Sequence, residues 1–216
     1  MSSSSKGTGE SPVPQGERGR FIVVDGVDGC GKTTQAELLA RALGVRDGLH
    51  LREPGSTTLG EKLRELLLSR SFEIGPAVET LLFAAARRQM LDQVVEPALA
   101  RGESVVCERF NPSTFAYQAV AGQLDEEQVV KLLSTWSNTP RPDLVVVLDI
   151  DVELAARRRG VASDRIEAKG VEFQRSVAQG FRRYVERFTE AVLIDGSGDA
   201  DEVHQAVLGE ARRVGA

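Results

Sequence analysis

A short apolar run, Phe21-Ile22-Val23-Val24-Asp25, leads directly into Gly26-Val27-Asp28-Gly29-Cys30-Gly31-Lys32-Thr33. Thr34-Gln35-Ala36-Glu37-Leu38-Leu39-Ala40 then follows with helix-forming composition. A strand, a turn of G-x-x-x-x-G-K-T spacing and a helix form one structural unit, and this unit commits the chain to an α/β arrangement. The glycines let the backbone curl with its N–H groups pointing inward. The helix N-terminus adds partial positive charge, so the hollow suits phosphate oxygens. Gly26, Val27, Asp28, Gly29, Cys30, Gly31, Lys32, Thr33 and Thr34 are therefore the candidate nucleotide-binding residues. Lys32 is placed to reach the outer phosphates, and the Thr33 hydroxyl to face Mg²⁺.

Four further runs read as strands: His50-Leu51, Ser104-Val105-Val106-Cys107, Leu144-Val145-Val146-Val147-Leu148 and Ala191-Val192-Leu193-Ile194. The clear ones are continuously apolar, as strands covered on both faces are. Helical patterns lie between them, over Leu59 to Leu68, Val78 to Leu99, Glu126 to Trp136, Val152 to Arg159, Val171 to Phe188 and Asp201 to Val214. Alternation of this kind predicts a parallel sheet with right-handed crossovers. Ligands then bind beyond the carboxyl ends of the strands. The segments expected at that rim are the phosphate loop, Arg52-Glu53-Pro54-Gly55, Glu108-Arg109-Phe110 and Asp149 with the arginine-rich helix after it.

The chain has 216 residues, which suits one α/β domain, and 41% of them are hydrophobic, enough for a substantial core. A net charge of −5 argues against a nucleic-acid partner. The two cysteines, Cys30 and Cys107, have no metal-ligand spacing, and a reducing cytoplasm is the expectation. No apolar stretch approaches the roughly 20 residues that span a bilayer. Residues 1–19 read as a disordered tail rich in Ser, Gly and Pro, and residues 20–216 as the folded domain. Helix-terminus placement could lower the Cys30 pKa, although a small buried hydrophobe is the simpler role. Neither His50 nor His204 has a sequence neighbour that suggests catalysis.

Three clusters could carry chemistry. Glu108, at a strand end beside the phosphate loop, can hold Mg²⁺ directly or through water, with Asp149 as a positional rival. Arg109 can grip a second phosphate. Arg157-Arg158-Arg159 and Asp164-Arg165 flank Gly160-Val161-Ala162-Ser163, so a small arginine-rich lid is expected over about 157–170. Closure of such a lid would cover the migrating phosphoryl group and exclude water. Phe83 and Arg87 are four residues apart and share a helix face, where a ring could stack on a base beside a cation.

Several motifs in order resemble the thymidylate kinases of bacterial type, within the P-loop nucleoside monophosphate kinases. They are the Phe21-to-Gln35 opening, Arg52-Glu53-Pro54-Gly55-Ser56-Thr57, Leu81-Leu82-Phe83-Ala84-Ala85-Ala86-Arg87, and Glu108-Arg109-Phe110 with Ser113-Thr114-Phe115-Ala116-Tyr117-Gln118. Pro140-Arg141-Pro142-Asp143-Leu144, Leu148-Asp149 and Asp164-Arg165-Ile166-Glu167 complete the set. The resemblance implies a P-loop NTPase fold with a five-stranded parallel sheet flanked by helices, usually paired as a homodimer. It implies phosphorylation of dTMP to dTDP with ATP and Mg²⁺ for dTTP synthesis. On that resemblance Lys32, Asp28, Arg109, Arg159 and Arg165 would be catalytic, and Thr33 and Glu108 would serve the metal. Arg52, Pro54, Phe83, Arg87, Thr114, Tyr117 and Gln118 would bind substrate together with Asp28 and Arg109. Phe83 would stack on thymine, Arg87 would contact a base oxygen, and Tyr117 would crowd the 2′ position.

The chain departs from the family pattern at four places. Gly29 stands where some members carry a loop arginine, Glu108 replaces the more usual aspartate, the lid is shorter, and Ser56 stands where glycine is common. The alternatives are a related P-loop kinase for another nucleotide or nucleoside, or a nucleotide-dependent switch protein. The guanine-specific Asn-Lys-x-Asp signature of many switches is absent from the sequence.

Overall fold

A computed structural model of the chain describes residues 18–71, 73–160, 166 and 169–216. Five parallel strands form one sheet in the order β2-β3-β1-β4-β5. They are β1 (Phe21–Gly26), β2 (His50–Arg52), β3 (Val105–Glu108), β4 (Leu144–Asp149) and β5 (Ala191–Asp195). The first strand is central and pairs with β3 on one side and β4 on the other. Every residue of β1 and β3 is buried, which explains their unbroken apolar character.

Chain order and strand order diverge around β1, so the crossovers leave on both sides of it. That divergence opens a crevice at the carboxyl ends of the central strands. The helix after β1, α1 (Lys32–Ala42), begins in this crevice. Next come α2 (Thr58–Leu68), α3 (Pro76–Met90) and, after a π-helical stretch at Leu91–Val95, α4 (Glu96–Ala100). These last three elements together form the single helical pattern expected over Val78 to Leu99.

Beyond β3 lie α5 (Asn111–Thr114) and a second π-helical stretch, Phe115–Val120, which apolar periodicity does not announce. The remaining helices are α6 (Glu126–Trp136), α7 (Val152–Arg159), α8 (Val171–Arg187) and α9 (Ala200–Arg213). Helices α1 and α9 pack together on the sheet, while α8 packs on β4, β5 and the Phe115–Val120 stretch.

Most of the expected tail lies outside the described residues, but its last two residues belong to the folded body. Arg18 pairs with Asp143 at 2.9 Å, and Gly19 N–H donates to Leu99 O at 3.2 Å.

Candidate active site

The turn between β1 and α1 is shaped for an anion. Side chains of Thr57, Asp125, Asp151 and Asp199 cap α2, α6, α7 and α9. By contrast α1 starts from Gly31, at φ 95°, with no side-chain cap. Its first-turn N–H groups are left for an outside acceptor. At Gly29, φ is 89° and a Cβ would stand 2.1 Å from Ala155 O, so the glycine lets α7 root against the loop.

The cavity beside this loop is lined by Gly29 to Gln35 on one side and by Gly196, Gly198, Asp199, Ala200 and Val203 on the other. Gln35 ties the two sides by donating from Nε2 to Ala200 O at 2.8 Å. Arg158 also borders the cavity, but its fork is committed to the turn after β5. Nη1 donates to Gly196 O and Nη2 to Ser197 O, each at 2.7 Å. Arg157 points to solvent. Arg159 lies on the far side of the loop with Val27, Asp28 and Gln174, and among the described residues its buried Nε has no hydrogen-bond partner. Arg165 lies outside the described residues, as do 161–164, 167 and 168 of the lid expected over about 157–170.

Asp28 is the junction of the site. Lys32 Nζ lies 3.2 Å from its Oδ1, Arg109 also bonds Oδ1, and the Tyr117 hydroxyl donates to Oδ2 at 2.9 Å. Burial opposes ionisation of Asp28, but Arg109, Lys32 and the Tyr117 hydroxyl overcome it and hold the carboxyl well below the usual aspartate range. Burial and the Asp28 charge push the Tyr117 hydroxyl well up, so it remains a donor. Arg109 reaches Asp28 from a left-handed backbone, φ 65°, which places its guanidinium over the Tyr117 ring.

Thr33 donates from Oγ1 to Glu108 Oε2 at 2.6 Å. The hydroxyl expected to face a metal therefore sits against the carboxylate expected to help it. The rival, Asp149, is engaged instead by Arg182 at 3.0 Å. His50 is better connected than the sequence suggested. Its Nε2 lies 2.9 Å from Glu108 Oε1. Burial opposes the Glu108 charge, but the His50 and Thr33 contacts outweigh it and lower its pKa.

A second, partly open cleft lies beside Asp28. It gathers Asp28, Pro54, Phe83, Arg87, Arg109, Thr114, Tyr117 and Gln118 from the expected substrate set, and adds Glu53, Arg64, Leu68, Ser113 and Ile166. Arg52 is the exception: it ends β2 exposed and does not line this cleft. Tyr117 and Gln118 are adjacent in sequence yet both line the cleft, from within the π-helical stretch; such stretches recur at functional sites.

Arg87 is held more firmly than a surface ligand-binding arginine. It is 1% exposed; Nε bonds both Glu53 oxygens at 2.7 and 2.8 Å, Nη1 bonds Asn111 Oδ1 at 2.5 Å, and Nη2 bonds Thr114 Oγ1 at 2.9 Å. Its guanidinium also stacks on Phe110, 4.8 Å from the ring centroid. Burial raises the Glu53 pKa even against the opposing Arg87 charge.

Asp25 is the residue that sequence reasoning passed over as strand. It is fully buried and accepts from Gly26 N–H and the Ser113 hydroxyl at 2.8 Å, Ser113 N–H at 3.0 Å and Phe110 N–H at 3.1 Å. It thereby fastens the phosphate loop to the start of α5. A carboxylate closing an apolar strand beside a phosphate loop was the available signal. Cys30 corrects an expectation: it is buried, and burial raises its pKa despite the neighbouring helix start.

The thymidylate kinase family model matches residues 24–207. The chain belongs to the thymidylate kinase family. A thymidylate kinase of Caldanaerobacter subterraneus subsp. tengcongensis is 42% identical over 195 residues, covering 88% of this chain and 94% of its own. One from Synechococcus sp. strain CC9902 is 46% identical over 173 residues, covering 76% and 83%. The crystal structure of thymidylate kinase from Ehrlichia chaffeensis superposes with TM-score 0.71 at 29% identity, covering 89% of this chain and 98% of that one. The five-stranded parallel sheet is thus the thymidylate kinase fold.

Proposed function

We propose that this chain phosphorylates dTMP to dTDP, with ATP as donor and Mg²⁺ as metal, in dTTP synthesis. One observation carries the reading. Asp28, in the phosphate loop, binds Lys32 on the donor side and both Arg109 and Tyr117 on the acceptor side. A triphosphate on the loop and a monophosphate in the cleft would therefore meet across a single carboxylate.

The residues divide the work by charge and shape. Main-chain N–H groups of Gly26 to Thr34 bind the triphosphate, and Lys32 turns from Asp28 to its outer phosphates. Arg109 holds the dTMP phosphate, and Phe83 stacks on thymine beside Arg87, Thr114 and Gln118, with Pro54 closing the pocket. Tyr117, pinned by Asp28, crowds the 2′ position. Arg159, with its unpartnered Nε, and Arg165 join them from the lid over 157–170. Donor and acceptor are held in line, and no covalent enzyme intermediate is needed.

Thr33 and Glu108 suit Mg²⁺, being a hydroxyl and a carboxylate already in contact. Among the described residues no cluster of three His, Cys, Asp or Glu side chains could hold a metal alone, so phosphate oxygens and water complete the set. A metal held there would supply charge neutralisation between the phosphates.

A homodimer is supported by Leu59 and Leu66 on α2, Val78 and Leu81 on α3, and Trp136 on α6, all large, apolar and exposed on adjoining helices. Free buried thiols at Cys30 and Cys107 support a cytoplasmic setting. Among the described residues no helix is long and apolar enough to cross a membrane. The deciding assay offers ATP with dTMP, dUMP, thymidine, UMP, AMP or GMP. Preferred turnover of dTMP supports the reading, and preference for another acceptor would overturn it.

A further inference from the structure

The helix α3 presents Glu79, Phe83 and Arg87 at successive four-residue steps, hence along one face. Phe83 and Arg87 line the acceptor cleft. Glu79 lies one turn earlier, 1% exposed, and does not line it. Its Oε2 instead accepts from Gln118 Nε2 at 3.0 Å. Gln118 is itself 2% exposed and does line the cleft.

We infer that Glu79 is a positioning residue that fixes which end of the Gln118 amide serves the cleft, and so makes the cleft read a thymine edge in preference to a cytosine edge. The inference rests on the dTMP reading above. The two ends of a glutamine amide have the same shape, and only their partners distinguish them. A carboxylate can only accept, so the end facing Glu79 is the N–H end. The carbonyl oxygen is then the end left for a ligand.

Glu79 is restrained in turn. Lys169 Nζ stands 3.8 Å from its Oε1 and 4.7 Å from the Phe173 ring centroid. One carboxylate oxygen thus accepts from Gln118 in the Phe115–Val120 stretch, and the other faces the Lys169 ammonium, two residues before α8.

The base edges differ in the needed sense. Thymine carries a hydrogen on N3, whereas cytosine carries a lone pair there. An amide oxygen accepts from the first and repels the second. A freely turning amide would offer N–H to cytosine just as well. Buried, orientation-locked polar groups reject mismatched ligands far better than apolar walls do.

The test compares kcat/KM for dTMP and dCMP in wild type, Glu79→Gln and Lys169→Met. Wild type unable to use dTMP would sink the substrate reading and this inference with it. With dTMP turnover established, Glu79→Gln, whose side chain can donate as well as accept, should cut the dTMP-to-dCMP ratio about tenfold or more, the worth of one misplaced hydrogen bond. Part of that change should be a gain on dCMP, which a merely loosened fold would not give, and KM for ATP should hold. Lys169→Met should leave the ratio within about twofold, because the Gln118 bond remains. A Glu79→Gln ratio within twofold of wild type, or parallel losses on both nucleotides and ATP, would overturn the inference.

If Glu79→Gln does not fold, the wild-type protein decides by NMR. One slowly exchanging Gln118 Nε2 proton, with dTMP shifting the Gln118 carbonyl carbon more than Nε2, supports the assignment. Fast exchange of both protons, or the larger shift on Nε2, refutes it.

Discussion

Tyr117 and Asp28 stand 2.9 Å apart, phenol donating to carboxylate, and both line the cleft that also holds Phe83 and Arg109. The bond fixes the Tyr117 ring in the wall of the cleft and occupies the oxygen of Asp28 that neither cation takes. Replacing the charge while keeping the shape should therefore separate electrostatics from packing. Asp28→Asn should lower kcat/KM for dTMP by on the order of 10²-fold, as lost transition-state charge stabilisation does.

The same variant has a pH signature. The folded pKa of Asp28 lies below its unfolded value of about 3.9, so the unfolded chain binds the proton more tightly. Asp28 thus stabilises fully above roughly pH 5, and its contribution is lost as pH falls through the acid range. The Tm gap between wild type and Asp28→Asn should be widest above pH 5 and narrow on acidification. A gap that widens in acid would contradict the assignment.

Arg109→Ala should weaken dTMP binding more than ATP binding, because its guanidinium faces Asp28 and Tyr117 within the acceptor cleft. Calorimetric titration of each nucleotide gives the order, and the reverse order would move Arg109 to the donor side.

Arg87→Ala should unfold easily whatever it does to catalysis. It leaves Glu53, 2% exposed, without the cation whose Nε–H both its oxygens share. Breaking a buried pair from one side costs about 3–5 kcal/mol. Denaturant titration should show that loss, and a cost under about 1 kcal/mol would mean water reaches Glu53 in the variant.

The native protein should resist thiol reagents. Burial raises the pKa of both Cys30 and Cys107, so neither offers much thiolate. Iodoacetamide at neutral pH should label neither in the folded state and both after denaturation, read by mass spectrometry.

On the proposed homodimer, Leu81→Asp should shift the protein to monomer. Leu81 is 57% exposed on α3, beside the apolar residues of α2. Light scattering that gives the same mass for variant and wild type would place the interface elsewhere.

Much of this architecture was legible in residue order. The loop, the five strands and most helices follow from apolar runs and glycine spacing, which are local signals. What escaped was tertiary. His50 has no telling sequence neighbour, yet β2 pairs with β3 and brings it beside Glu108. The π-helical turn at Phe115–Val120 depends on packing against α8, not on composition. Ser56 adopts φ 62°, the left-handed backbone that glycine accepts most readily, and its hydroxyl bonds Arg52 N–H and Arg52 O at 3.0 and 3.2 Å. That geometry accounts for a departure that the residue order left without meaning. Spacing shows that Phe83 and Arg87 share a face but not how many hydrogen bonds Arg87 already makes.

Arg158 grips the turn after β5 through three carbonyls, those of Gly196, Ser197 and Gly198. Two segments far apart in the chain are thereby welded into one plate that borders the loop cavity. If α7 swings, the far wall of the nucleotide berth must swing with it.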